Sequence, residues 1–140
     1  MLRVVLDANV FVSAYIQPEG APGRVIQSLL LDSAFELILT EAIIDEVLDS
    51  LSYPKVRKAS RSKIDPELWF EDLVMLAHCV TGETDTRRMS KDPDDDKYPA
   101  GAVEGRAGFI VTGDVDLLQL REYEGIQIVT PRAFLDRLHE

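Results

Sequence analysis

Cysteine is almost absent from this sequence. Among its 140 residues only Cys79 is a cysteine, so the chain cannot form an internal disulfide, and no cysteine–histidine pair suggests a zinc site. A chain of this length buries roughly two thirds of its unfolded surface, so folding requires neither feature. The single cysteine is typical of a reducing compartment, and with 46% hydrophobic and 29% charged residues we expect one soluble globular domain over residues 1–140.

Long apolar runs are also missing. No window approaches the roughly 18 apolar residues of a membrane span. The N-terminal apolar run is short and is interrupted by Asp7, which argues against a signal segment. We therefore expect a cytoplasmic protein with no membrane partner.

Several familiar catalytic motifs do not occur. The sequence has no GxxxxGK[ST], GxGxxG, GxSxG or HExxH pattern. The two histidines are poor catalytic candidates, because His78 lies among apolar residues and His139 is next to the last residue. We expect Cys79 to serve packing rather than reactivity.

Positive charge is scarce overall. Lys and Arg number 15 against 25 Asp and Glu, which gives a formal net charge of −10 and disfavours charge-driven binding to duplex nucleic acid. A site that binds cations could nevertheless bind phosphate. Two segments depart from the average: residues 54–64 contain basic but no acidic side chains, and residues 92–96 contain four aspartates in five positions.

Short apolar runs alternate with amphipathic segments along the chain. Strands are predicted at 3–6, 35–39, 79–81, 109–112 and 126–129. Helices are predicted to begin at Pro22, Glu41, Pro66, Val115 and Pro131. This alternation predicts a three-layer α/β/α domain with a largely parallel central sheet of about four to five strands.

Two of the predicted strands are followed by aspartate. Asp7 comes directly after residues 3–6, and Asp114 follows residues 109–112. The binding crevice of a parallel sheet lies beyond the carboxyl ends of its strands, so both carboxylates should lie at the same edge. A simple helix-capping role is the alternative for each of them.

Further acidic side chains could join this edge. Four neighbouring aspartates at 92–96 repel one another unless a divalent cation neutralises them, although an acidic turn that caps the next helix is the alternative. An EF-hand is excluded, because Lys97 and Val103 stand where its glycine and glutamate are needed. In the helix predicted over 41–51, periodicity places Asp45 and Glu46 on the two flanks of the apolar stripe and does not choose between them.

About four carboxylates of this kind could hold one or two Mg²⁺ or Mn²⁺ ions, because these metals prefer hard oxygen ligands. Such ions bridge a phosphodiester oxygen, lower the pKa of water and stabilise the leaving oxygen. The pattern therefore predicts metal-assisted phosphodiester hydrolysis.

Four segments together resemble the PIN-domain ribonucleases, and most closely the toxins of VapBC-like toxin–antitoxin systems. They cover nearly the whole chain in order: VVLDANVFVSA, EAIIDEVLDSLSYPKV, DPDDDK and IVTGDVDLL. The resemblance implies a Mg²⁺- or Mn²⁺-dependent endoribonuclease that cuts single-stranded RNA. It also implies a homodimer and an inhibitory antitoxin protein as partner.

The resemblance also implies roles for individual residues. The catalytic, metal-binding carboxylates would be Asp7, Glu46, Asp96 and Asp114, with Asp116 as an additional metal ligand and with Asn9 and Thr112 as supporting polar residues.

The helix expected after the aspartate cluster departs from the family, because it contains Pro99, Gly101 and Gly105, which weaken a helix. If Asp96 is its N-cap, Pro99 falls in the first turn, where its missing N–H would have no helical acceptor; if the helix begins earlier, Pro99 must kink it. Asp94 and Asp95 are the alternatives to Asp96 as the third acidic ligand.

The basic segment is a candidate contact for the RNA backbone, since it supplies the phosphate-binding charge that the rest of the chain lacks. Its side chains are Lys55, Arg57, Lys58, Arg61 and Lys63. A solvated helical surface is the alternative.

Three other functions compete with the nuclease toxin. The chain could be a housekeeping RNA-processing nuclease, or a binding module for RNA or protein that keeps the fold without productive metal geometry. A phosphoacceptor receiver domain is disfavoured, because the first strand ends in a single aspartate and no lysine follows Val129 and Thr130.

Overall fold

A six-stranded sheet organises the part of the chain that the structure describes, which is residues 1–82 and 96–140 of a computed structural model. The strands are β1 (Arg3–Leu6), β2 (Glu36–Thr40), β3 (His78–Val80), β4 (Phe109–Val111), β5 (Glu122–Tyr123) and β6 (Ile126–Val129). Their order in the sheet is β3-β2-β1-β4-β6-β5. Every neighbouring pair is parallel except β5 and β6.

Helices flank this sheet. They are α1 (Ala8–Ile16), α2 (Ala21–Asp32), α3 (Glu41–Leu51), α4 (Pro54–Ala59), α5 (Pro66–Leu76), α6 (Lys97–Glu104), α7 (Val115–Leu118) and α8 (Pro131–Leu138). Helix α1 packs against α2 and α3, and α6 packs against β1, β2 and β4. Within the described residues, no helix is both long and apolar enough to cross a membrane.

The central strand β1 explains why its sequence is apolar at successive positions. Val4, Val5 and Leu6 are completely buried, because β1 lies between β2 and β4 and is covered on both faces. The predicted α/β class with a largely parallel sheet is thus confirmed. The described sheet has six strands rather than four to five, because the two-residue β5 turns back antiparallel onto β6 through Glu124 and Gly125, both of which have positive φ.

Two helices and one packing role differ from the sequence predictions. Helix α1 has no amphipathic stripe to reveal it, since most of its residues are apolar and buried. Pro54 begins α4 rather than only following α3, consistent with the tolerance of a first helical turn for proline. Cys79 is exposed, so the expected packing role is wrong: β3 lies at the edge of the sheet.

Helix α6 is compatible with the proline and glycines that weaken its prediction. Asp96 is the N-cap and Pro99 is the third helical residue, so the missing N–H is one that no helical carbonyl would have accepted. A Cβ atom on Gly101 would lie 3.0 Å from Cγ2 of Thr40, and one on Gly105 would lie 2.5 Å from Cγ2 of Ile38. The two glycines therefore let α6 lie unusually close to β2.

Candidate functional site

Asp7 lies at the carboxyl end of β1 and is 3% exposed. Its carboxylate accepts a hydrogen bond from Oγ1 of Thr112 at 2.5 Å and one from the backbone N–H of Asn9 at 3.2 Å, and the second bond caps α1. Burial raises the pKa of the Asp7 carboxyl, and the nearby negative charge of Glu46 raises it further. The hydrogen bonds to the carboxylate lower this pKa but do not cancel the rise. A positive charge placed here would therefore be strongly favoured.

Thr112 connects the Asp7 carboxylate to the backbone of a second acidic residue, Asp114. It follows β4, is completely buried, and accepts a hydrogen bond at 2.9 Å from the backbone N–H of Asp114. Asp114 in turn caps α7 by accepting the backbone N–H of Asp116 at 2.9 Å. Because β1 and β4 are parallel neighbours, the strand-end aspartates Asp7 and Asp114 lie at the same edge of the sheet.

Glu46 reaches the same edge from α3 through two residues of α6. Its Oε1 accepts a hydrogen bond from the Tyr98 hydroxyl, and its Oε2 forms an ion pair with the Lys97 ammonium. The Tyr98 hydroxyl also accepts the backbone N–H of Ala8 at 3.2 Å. Asp45, on the other flank of α3, has an exposed side chain, so the geometry separates the two acids that periodicity left equal.

Tyr98 is a contact of the candidate site that sequence reasoning missed. Its side chain is completely buried, and burial together with the negative charge of Asp7 raises the pKa of its hydroxyl far above the usual range. The hydroxyl therefore stays neutral and keeps its proton for the Glu46 carboxylate. The sequence signal for both Tyr98 and Lys97 is weak, since it consists only of their position directly after the aspartate cluster.

We expect Tyr98→Phe to lower the free energy of unfolding by about 1–2 kcal/mol, because the buried N–H of Ala8 loses its acceptor. Urea denaturation measures this change. Tyr53→Phe is the matched control. Tyr53 is 48% exposed, so removal of its hydroxyl should change the free energy of unfolding little. Equal losses in the two variants would contradict a special role for the Tyr98 hydroxyl.

The other predicted site residues take different positions. Asp96 is partly buried at the start of α6, whereas Asp94 and Asp95 lie outside the described residues. The Asn9 side chain is exposed, although its N–H contacts Asp7. All five predicted RNA-contacting side chains are exposed, and Arg57 forms an ion pair with Asp65 at 2.8 Å.

The donor set fits a hard divalent cation by chemical type, since it consists of carboxylates around a buried and negatively charged position. Across residues 1–82 and 96–140, however, no group of three or more acidic, histidine or cysteine side chains is gathered closely enough to hold a metal ion. Lys97 already gives one of the carboxylates a positive partner.

Comparison with known proteins defines the class to which this arrangement belongs. The sequence model of the PIN domain matches residues 3–116 of this chain. The chain therefore belongs to the PIN domain family, whose members are nucleases.

Two relatives show how far the likeness extends. The chain is 28% identical to the uncharacterized protein MJ1680 of Methanocaldococcus jannaschii over 149 aligned residues, which cover 99% of this chain and 93% of that protein. It also resembles the crystal structure of VapBC2 from Rickettsia felis bound to a DNA fragment from their promoter. That likeness has a TM-score of 0.58 at 11% identity and covers 91% of this chain and 97% of the other, so it concerns the fold.

Proposed function

We propose that this protein is a metal-dependent endoribonuclease that hydrolyses phosphodiester bonds of single-stranded RNA. One observation carries the proposal: the buried Asp7 carboxylate is linked through Thr112 to the backbone of Asp114, and the N–H of the adjacent Ala8 contacts the Tyr98 hydroxyl that donates to Glu46. A buried carboxylate close to a second negative charge is costly unless a cation or a proton compensates for it. Membership of a nuclease family makes a phosphodiester the substrate that such a cation would serve.

In this proposal the carboxylates that hold Mg²⁺ or Mn²⁺ are Asp7, Glu46, Asp96 and Asp114, with Asp116 as a further ligand. When bound, the ion supplies the positive charge that polarises the phosphodiester and activates water. Thr112 fixes the orientation of the Asp7 carboxylate, and the Asn9 N–H holds its second oxygen. Asp94 and Asp95 remain the alternatives to Asp96.

The basic segment is proposed to hold the RNA backbone at a distance from the reacting phosphate. Ser60 donates a hydrogen bond to the carbonyl of Tyr15 near the C-terminal end of α1, whereas Asp7 caps the opposite end of that helix. The 9 residues of α1 span about 14 Å. Lys58 and Arg61 would therefore contact a flanking part of the strand.

We expect the double variant Lys58→Ala/Arg61→Ala to weaken RNA binding at low salt by about tenfold and to flatten its salt dependence. Each lost phosphate contact reduces the slope of log affinity against log salt by about 0.7 for a single strand. Fluorescence anisotropy with a labelled oligonucleotide measures both effects. Arg132→Ala/Arg137→Ala on α8 removes the same charge elsewhere, and an equal loss in that variant would contradict a localised contact.

The toxin of a toxin–antitoxin pair is the biological role that we propose for this nuclease. The fold likeness to VapBC2 and the four resembling segments support it. The proposal includes an antitoxin partner, a homodimer and a cytoplasmic location. Expression of the chain should arrest growth, and co-expression of a small neighbouring reading frame should relieve the arrest; continued growth on induction would instead favour an RNA-processing nuclease.

A catalytically impaired binding module is the second candidate. The ion pair of Lys97 with Glu46 favours it, because that pair satisfies one of the acidic ligands without any metal. In this case the chain would bind RNA or protein through the same fold and would not hydrolyse it.

Cleavage of a labelled single-stranded RNA in the presence of Mn²⁺ or Mg²⁺ separates the two candidates. The nuclease requires cutting that EDTA abolishes and that added metal restores. Absence of cutting on several unrelated RNAs, together with no heat of Mn²⁺ binding in calorimetry, would exclude the nuclease and leave the binding module.

A further inference from the structure

The carboxylates of Asp7 and Glu46 interact electrostatically and are called the acidic centre below. Lys97 places a positive charge on the Glu46 carboxylate. Its ammonium contacts Oε2 of Glu46, and the two side chains are only 22% and 32% exposed. Solvent and salt screen such a pair less than they screen a pair on the open surface. The charge of Lys97 therefore acts on any other cation that approaches Glu46.

The position of this charge is fixed by the packing of α6. Lys97 is the first residue of that helix, and the next residue, Tyr98, is completely buried with its hydroxyl on the other oxygen of Glu46. Gly101 and Gly105 allow α6 to lie close to β2. Both carboxylate oxygens of Glu46 are thus engaged by groups of one rigid element.

The two partners of Glu46 respond differently to an incoming metal ion. The Tyr98 hydroxyl is neutral, and its oxygen has no charge with which to repel a cation. The ammonium carries a full charge and competes for the same oxygen that would ligate the metal. Its long aliphatic stem allows it to leave without disturbing the backbone.

We propose that Lys97 is the resident counter-ion of the acidic centre and limits its affinity for divalent metal. Glu46 becomes a metal ligand only when the ammonium of Lys97 leaves its carboxylate. This inference rests on the proposed metal-dependent function, within which Lys97 would compete with the metal for the Glu46 carboxylate.

The test compares Mn²⁺ binding by the intact chain and by Lys97→Met, which keeps the aliphatic stem and removes the charge. Removal of the competing charge from the Glu46 carboxylate should tighten Mn²⁺ binding by about tenfold or more. Calorimetry measures the affinity, and electron paramagnetic resonance measures it independently through the loss of the free Mn²⁺ signal. Lys97→Arg should bind like the wild type. Arg24→Met, on the exposed side of α2, is the control for lost charge elsewhere.

A second readout is independent of catalysis. Without metal, Lys97→Met should melt below the wild type because Glu46 loses its partner, and Mn²⁺ should raise its melting temperature more than that of the wild type. If Lys97→Met does not fold, Lys97→Gln is used as the uncharged variant in both measurements. Equal or weaker Mn²⁺ binding by the uncharged variants overturns the role of Lys97 and leaves the metal-dependent nuclease intact, whereas no Mn²⁺ binding by any variant overturns both.

Discussion

Asp7→Asn is expected to lower the rate of metal-dependent RNA cleavage by about a thousandfold or more while the chain stays folded. Asparagine has nearly the same shape and can still accept the N–H of Asn9, but it cannot offer a charged oxygen to a cation. Single-turnover cleavage of a labelled RNA measures the change. Asp136→Asn, an isosteric change of an exposed residue on α8, should cleave at the wild-type rate.

The Asp7→Asn variant should also be more stable to unfolding than the wild type at neutral pH. The folded-state pKa of Asp7 is raised above 3.8, so the unfolded chain loses its proton first as the pH rises. The folded state therefore loses stability from about pH 3.8 up to the folded-state pKa, and this loss then persists. Asp7→Asn has no carboxyl at this position and does not lose this stability. Urea denaturation should therefore show the stability difference between the variant and the wild type growing as the pH rises from about 3.8 to the folded-state pKa of Asp7. A difference independent of pH would contradict a buried charged carboxylate.

Gly105→Ala is expected to lower the free energy of unfolding by about 2 kcal/mol. Its φ of −82° is acceptable for alanine, so the cost is steric: the new Cβ would lie 2.5 Å from a methyl group of the buried Ile38. Either α6 or β2 must move to accommodate it. Chemical denaturation measures the loss.

Gly108→Ala provides the matched control for this steric argument. A Cβ on Gly108 would meet no heavy atom within 4 Å, so we expect a change within about 0.5 kcal/mol. Equal losses for Gly105 and Gly108 would mean that backbone freedom, and not the close approach of α6 to β2, determines the need for glycine.

The strands were predictable because burial on both faces leaves a direct mark on the sequence. The apolar runs of β1 and β4 are short, rich in β-branched residues and bounded by polar or turn-forming residues, whereas β6 alternates buried residues with the exposed Gln127. Helix α1 was not predictable in this way, because its apolar residues surround the helix and give no period. The two-residue β5 carries too little sequence to signal a strand.

The candidate site was predictable only where topology determines it. Adjacent parallel strands bring the residues after their carboxyl ends together, and this places Asp7 beside Thr112 and brings Asp114 to the same edge of the sheet. The contribution of α6 depends instead on how closely that helix packs against β2. Pro99 and the two glycines weaken the prediction of this helix, so its packing could not be predicted from the sequence. Tyr98 and Lys97 could be assigned only after the close approach of α6 was known.

The order of strands in the sheet also determines when, during translation, the acidic centre can exist. β1 is made first, yet the hydroxyl groups that hold its end belong to residues far along the chain: Tyr98 is 90 positions after Ala8, and Thr112 is 105 positions after Asp7. A nascent chain thus carries Asp7 without its partners for most of its synthesis. The site around Asp7 therefore cannot assemble until residue 112 has been synthesised.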